Sequence, residues 1–216
     1  MSRVTLPSGT PAEVVRPAGE PTRGVVIAPD VMGLRPLYDD LCARLAAEHQ
    51  WAVAAPEPFP GREHLGLDER QIGSNDDDRV LGDLMAAADL LGVEPVGVIG
   101  FCQGGMWAFK AAGTSRFDRA VAFYGMIRVP WARPGHDQPL DWLRRPGACP
   151  VLALVAGQDK LVPFEDAQLL GDLEHVEVVV YPDAEHGFVH DPARPTHRRE
   201  DAADAWRRVV TFLLPP

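Results

Sequence analysis

Serine is scarce in this chain of 216 residues: only Ser2, Ser8, Ser74 and Ser115 occur, and none stands in a G-x-S-x-G turn. A serine nucleophile of that strand-turn-helix kind is therefore excluded. Cysteine is scarcer, and Cys42, Cys102 and Cys149 form an odd set without C-x-x-C spacing. Neither a disulfide framework nor a zinc ribbon is indicated. Positive charge is also short, with 21 basic against 31 acidic residues and a net of -10. Such a surface repels phosphate backbones, so no nucleic-acid partner is expected. No uninterrupted apolar run approaches the ~20 residues that span a bilayer. The amino terminus carries Pro7 and Pro11 and no signal-like apolar stretch, so no membrane partner and a cytoplasmic location are expected.

What is abundant is proline and apolar surface. The 21 prolines and 20 glycines together make 41 of 216 residues, about 19%, under the roughly 25–30% of disordered chains. With 46% apolar residues the chain can bury a core as one domain over residues 1–216. Short β-branched runs recur at Val25-Val26-Ile27, Val53, Val96 to Ile99, Ala120 to Phe123, Val151 to Val155 and Val176 to Tyr181. Helical spacing separates them. Leu37, Leu41, Leu45 and His49 share a stripe after Pro36, with Cys42 beside it. Asp76-Asp77-Asp78 suits a helix start whose buried face is Val80, Leu84, Ala87 and Leu91. Further helices are predicted from Gln103 to Ala112, Glu165 to Leu173 and Arg198 to Leu214. This alternation predicts an α/β fold: a mostly parallel central sheet with helices on both faces, its ligand site beyond the carboxyl ends of the strands. Two long irregular stretches, Pro56 to Asn75 and Gly125 to Pro150, are candidates to shape a pocket there.

The sharpest local signal is Val96-Gly97-Val98-Ile99-Gly100-Phe101-Cys102-Gln103-Gly104-Gly105, a strand, a tight turn and a helix start. It is the nucleophile elbow with cysteine in the place of serine. A thiol there sits at a helix amino terminus, which favours the thiolate. The bland alternative is a buried cysteine between glycines that pack a helix on a strand. Two later segments weigh against it. Val151 to Ala156 runs into a loop presenting Asp159, and Val176 to Tyr181 into a loop presenting His186. Nucleophile, acid and histidine, each after its own strand, is the chain order of the α/β-hydrolase triad. A turn role for Asp159 and a surface role for His186 are the competing readings, and Asp166, Asp183 and Glu185 are the nearby acidic rivals.

Taken together, these features resemble the dienelactone hydrolase family of α/β-hydrolases. The elbow Gly100-Phe101-Cys102-Gln103-Gly104-Gly105, the acid loop around Asp159, the Tyr181-x-x-Ala184-x-His186-Gly187-Phe188 loop and a carboxyl-terminal helix containing Asp201 to Trp206 carry the likeness, over about residues 24 to 214. The resemblance implies the α/β-hydrolase fold, with Cys102 as nucleophile, His186 as base and Asp159 as its orienting acid. It also implies an oxyanion hole from the backbone N–H groups of Val31 and Gln103. Asp30 stands where the family usually carries a glutamate that contacts the resting thiol. Two roles stand open for it, tuning the thiol or organising the turn. Four residues after the histidine, where the founding enzymes place an arginine for an anionic lactone, this chain has His190. Phe188 is a candidate to line the pocket. Arg35, Arg62, Arg70 and Arg79 lie where they could reach it, yet each is more often a solvated charge.

The activity so implied is cleavage of a small ester or lactone through a Cys102 thioester. No cofactor and no metal are called for, and the assembly expected is a monomer or small homo-oligomer. The alternatives are a carboxylesterase or thioesterase of the same fold acting on a neutral acyl substrate, and a non-catalytic binding protein that keeps the fold.

Overall fold

A computed structural model describes residues 2–71, 76–130 and 137–214. The β-branched runs become strands because each can be buried on both sides. The strands are β1 (Ser2–Thr5), β2 (Pro11–Val15), β3 (Arg23–Ala28), β4 (Trp51–Pro56), β5 (Val96–Phe101), β6 (Arg119–Phe123), β7 (Val151–Ala156) and β8 (Val176–Tyr181). They form one sheet in the order β1-β2-β4-β3-β5-β6-β7-β8. From β4 across to β8 all neighbours are parallel, and β1 and β2 are antiparallel additions at one edge. The helices are α1 (Pro36–His49), α2 (Leu67–Gln71), α3 (Asp77–Leu91), α4 (Gln103–Ala112), α5 (Pro139–Leu143), α6 (Glu165–Gly171) and α7 (Arg199–Leu213).

Strand alternation divides the core in two. Val25, Ile27, Val53, Ile99, Val121 and Leu152 pack under α1 and α7. Their neighbours Val26, Ala54, Val98, Ala120 and Val151 pack under α3, α4 and α5 on the opposite face. This is the two-sided burial that near-continuous apolar strands require. Among the described residues, no helix is long and apolar enough to cross a membrane.

Helix boundaries follow local chemistry. The Asp76 side chain accepts a hydrogen bond from the Arg79 N–H, capping α3. Asp77 instead pairs with Lys110 of α4. All four residues expected on the buried face of α3 are buried. On α1 the buried face is turned slightly from the expected stripe: Tyr38, Leu41, Cys42, Leu45 and Ala46 go inward. The two long irregular stretches contain α2 and α5, with their portions at 72–75 and 131–136, including Ser74 and Asn75, outside the described residues.

The uniform β-α alternation fails at the amino terminus, where β1 and β2 form a hairpin. Its turn is closed by hydrogen bonds from Leu6 N–H to Thr10 O and from Gly9 N–H to Leu6 O. Strands of only four and five residues carry too short a pattern to announce themselves. The hairpin is tied down from a distance: buried Asp83 of α3 accepts hydrogen bonds from the Ser8 and Thr10 hydroxyls at 2.5 and 2.7 Å, and pairs with Arg79 at 3.2 Å.

Candidate active site

The turn between β5 and α4 is as tight as its glycines imply. A methyl group on Gly100 would lie 1.9 Å from Gly104 O, and one on Gly104 would lie 2.0 Å from Ala28 O. No side chain fits at either place, so the start of α4 can seat directly against the end of β3. Cys102 pays for this with φ 57° and ψ -115°, a backbone conformation that non-glycine residues rarely adopt. Hydrogen bonds hold it there, from Cys102 N–H to Phe123 O at 3.0 Å and from Met106 N–H to Cys102 O at 3.1 Å. Cys102 is partly exposed, whereas Cys42 and Cys149 are buried. Burial pushes the Cys42 thiol far up and the Cys149 thiol up to about 12, which leaves both poor nucleophiles.

Asp159 follows β7, and His186 follows β8, the neighbouring strand. His186 Nδ1 lies 2.7 Å from Asp159 Oδ2. A carboxylate only accepts, so Nδ1 donates to it, and Nε2 is the ring nitrogen left to exchange a proton with a reacting group. The other Asp159 oxygen accepts from Leu161 N–H at 2.8 Å and Val162 N–H at 3.1 Å, which fixes the carboxylate in its loop. Among the described residues, Nε2 of His186 is buried with no hydrogen-bond partner. Burial opposes a charge on this imidazole. The hydrogen bond to Asp159 and the coupling to Cys102 outweigh it, and the pKa is pushed up to about 9.

Asp30 and His190 meet each other. Asp30 Oδ2 lies 2.7 Å from His190 Nε2, and its two oxygens receive Arg35 Nη1 and Nη2 at 2.7 and 3.0 Å. Oδ1 also accepts from Met32 N–H at 2.9 Å. These bonds tie Asp30 into its own turn and to His190, and none of them goes to Cys102. Burial would push the Asp30 carboxyl up, but His190 and Arg35 hold it well below the usual range. His190 has both nitrogens occupied, Nδ1 lying 2.5 Å from the Tyr124 hydroxyl. It is not a free group facing solvent. Phe188 does not line an open pocket either: it is 0% exposed, and its ring packs 4.9 Å from Tyr181 and 5.7 Å from Tyr124.

A sequence profile of the dienelactone hydrolase family matches residues 10–215. The chain belongs to the dienelactone hydrolase family. A protein of Escherichia coli strain K12, provisionally named a carboxymethylenebutenolidase, is 29% identical over 94% of this chain and 81% of its own. A Bradyrhizobium protein, named a probable 2-oxo-3-(5-oxofuran-2-ylidene)propanoate lactonase, is 26% identical over 88% of this chain and 82% of its own. The crystal structure of a provisionally assigned dienelactone hydrolase from Klebsiella pneumoniae superposes with a TM-score of 0.88 at 25% identity, covering 98% of this chain and 96% of that one. A dienelactone hydrolase-like promiscuous phosphotriesterase from metagenomic libraries shares the fold, with a TM-score of 0.76 at 21% identity over 98% and 95% of the two chains.

In this family member Arg62, Arg70 and Arg79 donate to backbone carbonyls of the surrounding loops. Arg70 donates to Met32 O at 2.7 Å, Glu63 O at 2.6 Å and Leu65 O at 3.1 Å. Arg79 donates to Pro58 O at 2.9 Å besides pairing with Asp83. Arg62 donates to Arg70 O at 3.5 Å. Buried Glu57, which the sequence did not single out, accepts from Leu34 N–H and Phe59 N–H, each at 2.8 Å. It thereby ties the segment after β4 to the loop that carries Asp30 and Val31. Tyr124 was missed as well. Its ring sits 4.9 Å from that of His186, and its φ of 41° marks a strained position directly after β6. Arg194 lies across Gly187 beside His186, where an added methyl group would be 2.8 Å from Nη1.

Proposed function

We propose that the protein hydrolyses small esters or lactones through a thioester on Cys102, with His186 as the acid-base group and Asp159 as its orienter. The observation that carries this reading is the 2.7 Å Asp159–His186 bond, taken with the strained, partly exposed thiol of the elbow. The names carried by the Escherichia coli and Bradyrhizobium relatives support the same substrate class.

In the first half-reaction, Sγ of Cys102 bonds to the carbonyl carbon and the thiol proton passes to His186 Nε2. The carbonyl oxygen becomes an oxyanion, held by the Val31 and Gln103 amides. Gln103 suits that task because it opens α4, whose first-turn N–H groups point out of the helix end. Collapse of the adduct breaks the carbon–oxygen bond, and Nε2 returns the proton to the leaving alkoxide or enolate. Water then attacks the thioester, gives its proton to Nε2, and the acid leaves as the thiol is restored. Leaving oxygens compete with thiolate better than amines do, so esters and lactones suit this nucleophile better than amides.

Intact-protein and peptide mass spectrometry after exposure to a slowly hydrolysed aryl ester tests the reading. An acyl adduct on Cys102 is expected, and Cys102→Ala should lose both the adduct and at least about a thousandfold in kcat/KM. An adduct confined to Cys42 or Cys149, or full activity in Cys102→Ala, would sink it.

A further inference from the structure

The contacts of His190 reach well beyond its own loop. Through Nε2 it joins Asp30, which directly precedes Val31 on the loop after β3. Through Nδ1 it joins Tyr124 at the end of β6, and Tyr124 follows Phe123, whose carbonyl accepts the Cys102 N–H. Its own loop, after β8, also presents His186. Three further side chains complete the arrangement. Arg35 grips both Asp30 oxygens, Tyr38 of α1 accepts the Asp30 N–H at 2.8 Å, and the rings of Phe101 and Tyr38 lie 5.0 and 6.3 Å from that of His190.

We propose that His190 and Tyr124 are positioning residues for the oxyanion hole: the buried chain Tyr124–His190–Asp30 fixes where the Val31 amide stands relative to the nucleophile. This rests on the reading of Val31 as an oxyanion donor. His186 does not need the chain, because Asp159 already orients it. Cys102 does not need it either, because the elbow glycines set its backbone. The loop bearing Val31 is different, being an irregular connection between β3 and α1 whose place depends on side-chain bonds. The His190 and Asp30 side chains are 1% and 3% exposed, so their hydrogen bond is not weakened by water. A buried polar chain adds little stability over apolar filling of the same volume. What it adds here is direction, since each bond fixes an angle as well as a distance. Removing an oxyanion donor outright costs about a hundredfold to a thousandfold in kcat, and loosening one should cost less.

The test compares His190→Phe, which keeps a ring but removes both bonds, with His190→Gln, which can still donate to Asp30, and with Tyr124→Phe. Three readouts are followed: kcat and KM for an aryl ester, the inhibition constant of a trifluoromethyl ketone that forms a hemithioketal with the thiol, and the rate of Cys102 alkylation by iodoacetamide. For His190→Phe we expect kcat to fall about tenfold to a hundredfold with KM within about twofold. The ketone should weaken by a similar factor, and alkylation should change less than about threefold. Tyr124→Phe should show the same pattern at about threefold to tenfold, and His190→Gln should recover most of kcat. An unchanged kcat in His190→Phe overturns the proposal. So does a fall in alkylation as large as the fall in kcat, which would make the chain generally structural. If the unmodified enzyme neither turns over the ester nor binds the ketone at Cys102, the catalytic reading fails first and takes this one with it.

Discussion

At Asp159 the balance of forces on one imidazole can be tested directly. His186 carries two opposing influences, burial that disfavours its charge and partners that favour it, and the partners prevail. Replacing Asp159 by asparagine removes the carboxylate and offers the ring an amide that can hold the wrong tautomer. In Asp159→Asn the His186 pKa should therefore drop from about 9 toward or below its ordinary value, as burial becomes the dominant influence. Activity should fall by about a hundredfold to ten-thousandfold. Histidine resonances followed by NMR titration, alongside kcat/KM, check both, and a His186 pKa that stays near 9 would separate the ring from its acid. The meeting of these two side chains was foreseeable, since each follows its own strand in a parallel sheet. The Asp30–His190 contact was not. Its partners are 160 residues apart, and nothing local to either of them names the other.

Among the elements, the turn of the amino-terminal hairpin is tied to a distant carboxylate. The Ser8 and Thr10 hydroxyls both end on Asp83 of α3, and Arg79 adds a charge from the same helix. Asp83→Ala leaves those groups without their acceptor at a nearly buried position. A loss of about 2–4 kcal/mol is expected, read as a lowered denaturant midpoint. Hydrogen exchange should rise first in β1 and β2 while β5 to β7 stay protected. Uniform loss of protection across the sheet would show that the hairpin is not separately held. The sequence was informative about α3, whose cap and apolar stripe are local, and silent about the hairpin it secures. Two strands of four and five residues carry too little pattern to be read without the helix they lean on.

For the whole molecule, pH is the variable that reaches several of these groups at once. The pKa of His186 is raised from 6.5 to about 9 on folding, so the folded state holds that proton more tightly than the unfolded chain does. Its contribution, on the order of 3 kcal/mol, is fully present below pH 6.5 and is lost as pH rises through about 9. Asp30 acts in the opposite sense. Its carboxyl is held well below 3.8, so that stability is present above this value and fades only in stronger acid. Thermal unfolding between pH 5 and 10 should show the midpoint declining from about pH 6.5 upward, with a flatter alkaline limb in His186→Gln. An identical limb in that variant would assign the decline to other groups.

The sequence by itself determined what depends on near neighbours. Apolar alternation specified a parallel sheet covered on both faces, proline and aspartate marked helix starts, and Gly100 and Gly104 set the turn that exposes Cys102. Only the tertiary structure decided how distant side chains share one another. It turned Asp30 and His190 toward each other, closed Phe188 into the core between Tyr124 and Tyr181, and engaged Arg35 and Arg70 in holding loops. The reason is physical: backbone conformation and burial follow from local sterics and periodicity, whereas a hydrogen bond between loops depends on strand order and on angles that no spacing along the chain records.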